Sequence, residues 1–159
     1  MKIALGADHR GVEAVGSLNT HLQAEGHDTT VLGDCGGESC DYPDVAYLVG
    51  RAVAEGKVER GILICSNGIG VTIAANKVSG VRAALVYDQV NAERSRLHND
   101  ANVLCLGGEM TSHDELVRIV DTWLAAPFDG GRHQRRVDKI SAIERGENPA
   151  ESAVDPARA

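Results

Sequence analysis

Aromatic residues are scarce in this chain: Trp123, Phe128, Tyr42, Tyr47 and Tyr87 are the only ones among 159 residues. So few flat rings exclude a surface that stacks single-stranded nucleic acid. Positive charge is also in short supply. A formal net charge of −7 speaks against a nucleic-acid backbone or an anionic membrane as the main partner. No apolar run approaches the roughly 18 residues that span a bilayer. The N-terminus lacks the charged region and long apolar stretch of a signal peptide. The four cysteines, Cys35, Cys40, Cys65 and Cys105, show no CxxC spacing, so reduced thiols and a cytoplasmic location are expected. Cys35 and Cys40 sit in a Gly-rich loop with Asp34 and Asp41, but no histidine pair or second cysteine pair completes a metal ligand set. A GxGxxG turn followed by an acidic residue about 20 positions on is absent, which excludes the usual dinucleotide fingerprint.

What is present is Ala, Val, Leu and Gly, in a chain 43% hydrophobic and large enough for one substantial core. Apolar runs at 2–6, 29–33, 61–65, 81–87 and 102–107 read as strands. Stretches of helical period follow at 12–25, 43–55, 69–77, 89–97, 113–125 and 134–145. The alternation predicts an α/β, three-layer Rossmann-like fold with a mostly parallel five-stranded sheet and helices on both faces. We assign one domain, residues 1–146, and a flexible polar tail, 147–159.

Ligands of such sheets bind beyond the carboxyl ends of the strands. Asp8–His9–Arg10, Asp41–Tyr42, Cys65 to Gly70, Asp88 and Gly107–Gly108 all fall there, which predicts an active-site edge. The segment GILICSNGIGVTIAANK, residues 61–77, is its centre. A buried strand ends at Cys65, crosses a Gly68-x-Gly70 turn and enters an Ala-rich helix. Turns of this kind aim backbone N–H groups at one spot, where the helix dipole favours negative charge. A free cysteine closing a strand is usually plain core, but these N–H groups can stabilise a thiolate. Cys105 lacks the turn and reads as core.

Three further clusters are polar. Asp8 either caps the following helix or accepts a hydrogen bond from a sugar hydroxyl, and His9 beside it could hold an anion. His98–Asn99–Asp100 is either a solvated loop or an acid–base site, histidine being the side chain suited to proton transfer near neutral pH. Arg132, Arg135 and Arg136 concentrate positive charge in an acidic chain, with Arg132 and Arg136 at i, i+4 spacing. They form either a solvated face or a phosphate grip.

Together these pieces resemble ribose-5-phosphate isomerase type B, in the sugar-phosphate isomerase family that includes galactose-6-phosphate isomerase subunits. The likeness rests on Ala7-Asp8-His9, Asp41-Tyr42-Pro43, residues 61–77, Gly80-Val81-Arg82-Ala83, His98 through Leu104, and Gly130-Gly131-Arg132-His133-Gln134-x-Arg136-Val137. It covers residues 1 to about 145. The resemblance implies interconversion of ribose 5-phosphate and ribulose 5-phosphate through an enediolate, with no metal or organic cofactor. It implies Cys65 as the base and His98 as the residue that assists ring opening. Asp8 and Asn99 would bind hydroxyls, with Tyr42 also at the substrate, and Asn67, Gly68 and Gly70 would face the enediolate oxygens. His9, Arg132 and Arg136 would hold the phosphate. It further implies a homodimer or dimer of dimers with the site shared across the interface, so that His98 and Asn99 serve the partner's Cys65. Ser66 and Asn67 stand where the family often carries Gly-Thr, and Asn can donate a hydrogen bond as Thr does. Glu109 stands where the family usually carries Arg, so either its carboxylate turns away from the phosphate or the substrate differs there. The alternatives are an isomerase of erythrulose 4-phosphate, allose 6-phosphate or galactose 6-phosphate, or a non-catalytic sugar-phosphate-binding module.

Overall fold

The central strands form where apolar runs are covered from both sides. A computed structural model describes residues 1–33 and 38–151. In chain order they form β1 (Lys2–Ala7), α1 (Val12–Ala24), β2 (Asp28–Val31), α2 (Tyr42–Ala54), β3 (Arg60–Cys65), α3 (Ile69–Ala75), β4 (Ala83–Leu85), α4 (Gln89–Asn99), β5 (Val103–Gly107), α5 (His113–Ala125) and α6 (Arg132–Glu144). The sheet order is β2-β1-β3-β5-β4, and every pairing is parallel. The expected three-layer α/β architecture is found.

Alternation along β3 divides the interior in two. Ile62 and Ile64 join Leu18, Leu22, Leu104, Leu106, Leu116, Ile119 and Trp123 beneath α1, α4 and α5. Leu63 and Cys65 join Val45, Val49, Val71 and Cys105 beneath α2 and α3. Each fully buried Leu or Ile contributes about 1.5–3 kcal/mol, and the two layers clamp the sheet between them. β1 leads into α1 on one face, whereas its neighbour β3 leads into α3 on the other. That divergence opens a crevice between their carboxyl ends, the switch point at which such sheets bind ligands.

Several boundaries differ from the sequence expectation. β4 is an edge strand paired only over Ala83–Leu85, so Val81 and Tyr87 fall outside the ladder. α4 runs on through His98 and Asn99, because Asp100 closes it in the left-handed conformation at φ 46°. Its carboxylate holds both Arg82 and Arg96 at 2.7 Å. His98 and Asn99 therefore occupy a helix end rather than a loop. α6 begins at Arg132, two residues early, after Gly130 and Gly131 at positive φ.

Cys40 is disulfide-bonded, which corrects the expectation of reduced thiols at that residue; Cys65 and Cys105 are free. Cys35 and Asp34 lie outside the described residues, as does the part of the expected tail from 152 to 159. Residues 147–151 fold back on α6, where the Lys139 ammonium donates to the Pro149 carbonyl at 2.7 Å. No helix among the described residues is long and apolar enough to cross a membrane.

Candidate active site

Cys65 ends β3 at the crevice, 4% exposed. Its Sγ accepts the Gly68 N–H at 3.2 Å. The turn requires glycine at this point: Gly68 has φ 76°, and a Cβ there would lie 2.9 Å from the Leu106 carbonyl carbon. Asn67 shapes the turn, with Oδ1 accepting the Ile69 N–H at 3.0 Å and its main-chain carbonyl accepting the Tyr87 hydroxyl at 2.7 Å. The Asn67 side chain thus offers a ligand its amide NH2. The Tyr42 ring covers Gly70, where a Cβ would come within 2.7 Å of ring carbons. Cys105 faces the same interior layer, but desolvation pushes its thiol up to about 12, so it stays protonated and inert.

Asp8, beyond β1, is 6% exposed and accepts the Arg10 N–H at 2.9 Å. It does not cap α1, whose N-cap is Gly11 without a side-chain bond. His9 is exposed, and its Nδ1 lies 3.3 Å from the Cys40 carbonyl oxygen, so that nitrogen carries the hydrogen and donates. Glu109, beyond β5, turns to Arg10 at 2.8 Å and to the Ser66 hydroxyl at 2.6 Å. The Ser66 hydrogen bond, then the Arg10 guanidinium, hold its carboxyl below the ordinary range. Main-chain bonds from Gly108 N–H to the Cys65 carbonyl and from Glu109 N–H to the Ser66 carbonyl tie the same loops together.

A second set of residues gathers around the end of α4. The rings of His98 and His133 stack with centroids 4.3 Å apart and 3° between planes. Arg132 Nε donates to His133 Nε2 at 3.3 Å. Burial, then the charges of His98, Arg132 and Arg136, depress the His133 pKa, opposed by Asp129. Among the described residues neither Arg132 nor Arg136 has an ion-pair partner, which leaves both guanidiniums for an anion. His98, Asp129 and His133 bring ligand atoms within 4.8 Å of one another. Their geometry suits no common cation, because lone pairs in parallel ring planes do not converge and two guanidiniums stand close by.

The two sets lie at opposite edges of the sheet. The Gly61 N–H, at the start of β3, donates to the Asn102 carbonyl at 3.0 Å, and Asn102 follows closely on Asn99. His98 and Asn99 therefore belong to the amino edge and Cys65 to the carboxyl edge, which lies about 13 Å further along β3 from Gly61 at ~3.3 Å per strand residue. Asp8, His9, Tyr42, Cys65, Asn67, Gly68 and Gly70 collect at the expected edge. His98, Asn99, Arg132 and Arg136 do not join them within one chain. Sequence reasoning gave no role to His133 or Arg10. The GGRHQRR motif contained His133, but nothing in its spacing marks a stacking partner.

Comparison with known proteins bears on this arrangement. Residues 3–140 match the family described as Ribose/Galactose Isomerase. Ribose-5-phosphate isomerase B of Escherichia coli (strain K12) is 44% identical over 147 residues, covering 92% of this chain and 99% of that protein. The solved structure of Clostridium thermocellum ribose-5-phosphate isomerase B superposes with a TM-score of 0.90 at 46% identity, covering 92% of this chain and 99% of the other. That of the Mycoplasma genitalium ribose-5-phosphate isomerase B, with bound ribulose-5-phosphate, gives 0.87 at 42%, covering 91% and 96%. With a match along nearly its whole folded length and a glycine turn aimed at a free thiol, the chain belongs to the Ribose/Galactose Isomerase family.

Proposed function

We propose that this protein is an aldose–ketose isomerase that interconverts ribose 5-phosphate and ribulose 5-phosphate, each site being built from two copies of the chain. The observation that carries the reading is the Cys65 sulfur set against the Gly68 N–H at the switch point of the sheet. The relatives' named activity supports the substrate. The separation of Cys65 from His98 supports a homodimer, or a dimer of dimers, in which the α4 end of one copy meets the crevice of the other.

In the first step His98 assists opening of the furanose. The proton on the anomeric oxygen leaves, the bond from C1 to the ring oxygen breaks, and the ring oxygen takes up a proton. The Cys65 thiolate then removes the proton from C2 of the open aldehyde. The electron pair moves into an enediolate, stabilised by the Asn67 amide and the Gly70 N–H at roughly 3–4 kcal/mol per well-placed donor. Return of the proton to C1, with a proton moving from O2 to O1, yields the ketose. Asp8, Asn99 and Tyr42 hold the hydroxyls and sugar face, while His9, Arg132 and Arg136 grip the phosphate. A phosphorylated sugar substrate goes with a cytoplasmic location.

The test is isomerisation of ribose 5-phosphate by the wild type and by Cys65→Ala, alongside erythrose 4-phosphate and allose 6-phosphate. We expect turnover on ribose 5-phosphate and its loss in the variant, with inorganic phosphate still bound. Wild-type-like turnover by Cys65→Ala removes the thiol from its role. A higher kcat/KM on another sugar phosphate reassigns the substrate.

A further inference from the structure

His133 is a buried histidine beside the proposed site to which the reaction above gives no task. It is 6% exposed. Because its Nε2 accepts from Arg132, the ring is the neutral tautomer with its hydrogen on Nδ1. That Nδ1 is buried without a partner. An unpaired buried N–H carries a desolvation cost that Leu or Phe at the same position would avoid. The hydrogen bond from Arg132 therefore accounts for only part of what this ring does. Its face does the rest: it lies parallel to His98 at 4.3 Å.

We propose that His133 is a positioning residue for His98: its buried flat ring fixes the plane of the His98 imidazole, so that the same edge of that imidazole is presented to the ring oxygen and anomeric hydroxyl of a cyclic sugar phosphate. This rests on the reading of His98 as the residue that assists ring opening. The Arg132 contact sets the orientation of the stack from one side. Its first-turn place on α6 couples the stack to the arginines proposed for the phosphate. The charged and titratable groups facing His133 are His98 from α4, Arg132 and Arg136 from its own helix, and Asp129 from the preceding loop. Three of these four oppose a proton on His133. A charged His133 in the stack is thereby disfavoured.

The two halves of the reaction can be read separately. Ribose 5-phosphate closes to a furanose and needs opening. Ribulose 5-phosphate carries its phosphate on O5 and cannot form a five-membered ring, so exchange of its C1 hydrogen with deuterated water reports only the enediolate step. Both rates are measured for wild type, His133→Ala, His133→Phe and His98→Ala. We expect His133→Ala to lower isomerisation of ribose 5-phosphate about tenfold more than it lowers C1 exchange, part of the ~10²–10⁴ that a placed acid or base supplies. His133→Phe, which keeps a flat ring without a titrating nitrogen, is expected to recover most of that difference. Equal losses in the two reactions, or none, overturn the positioning role; circular dichroism of both variants shows whether the fold is kept. If His98→Ala itself lowers both rates equally, the ring-opening reading fails instead, and the inference with it.

Discussion

Glu109 and Arg10 form an ion pair at 2.8 Å between the loops that follow β5 and β1. The carboxylate is thus turned toward a guanidinium and the Ser66 hydroxyl. It also leaves Arg10, next to His9, with its charge balanced in the resting protein. Glu109→Gln removes that balance and keeps a hydrogen-bonding group for Ser66. We expect the Ki of inorganic phosphate as a competitive inhibitor to fall roughly two- to fivefold, the scale of an exposed ion pair. The effect should shrink at high salt. An unchanged Ki means that phosphate does not approach Arg10.

Gly68 and Gly70 should respond differently to a single methyl group. At Gly68 the left-handed backbone alone costs about 1–2 kcal/mol for an L-residue, and the obstacle is the Leu106 main chain, which cannot step aside. At Gly70 the obstacle is the Tyr42 ring, which is 41% exposed and can swing out. Gly68→Ala is therefore expected to lose both stability and turnover. Gly70→Ala should keep most of its stability while its KM rises. Urea denaturation and steady-state kinetics on both variants check this.

The depressed His133 pKa has a defined sign in stability. Below the ordinary value of 6.5 the unfolded chain takes up a proton that the folded chain resists. Folding stability from this group is complete above 6.5 and is lost as pH falls through the window beneath it. His133→Phe removes this contribution. Urea midpoints at pH 7.5 and 5.5 should accordingly differ less for the variant than for the wild type, and an identical difference refutes the assignment to His133.

A site shared between copies makes a prediction about mixtures. Cys65→Ala and His98→Ala chains are each expected to be nearly inactive alone. In a mixed dimer one of the two sites combines intact Cys65 with the partner's intact His98. Unfolding and refolding the two variants together at equal amounts should restore about a quarter of wild-type activity, as two-fold symmetry dictates. Recovery of none places both residues in one chain's site.

The strand–turn–helix at Cys65 was legible in sequence because local chemistry alone sets it: an apolar run, two glycines and an Ala-rich helix. The sheet was legible for the same reason. The end of α4 was not. Helices usually stop at glycine, whereas this one stops at Asp100, held in a left-handed conformation by arginines 18 residues before it and four before it. No window of sequence contains that pairing. The opposite placement of His98 and Cys65 was hidden because strand-end reasoning counts residues that follow strands, and His98 lies in the last turn of a helix. His133 was hidden between more conspicuous arginines, since stacking has no sequence period.

Trp123 is the chain's single tryptophan and is fully buried. The Arg96 guanidinium carbon lies 6.0 Å from the centre of its ring, and Arg96 also grips Asp100 and the Ala101 carbonyl. The molecule thus carries one indole fluorophore, set against the anchor of the helix whose last turn holds His98. A loosened helix end would shift its emission before the rest of the fold gave way, so light from one indole can follow the ordering of the proposed ring-opening corner in solution without any label.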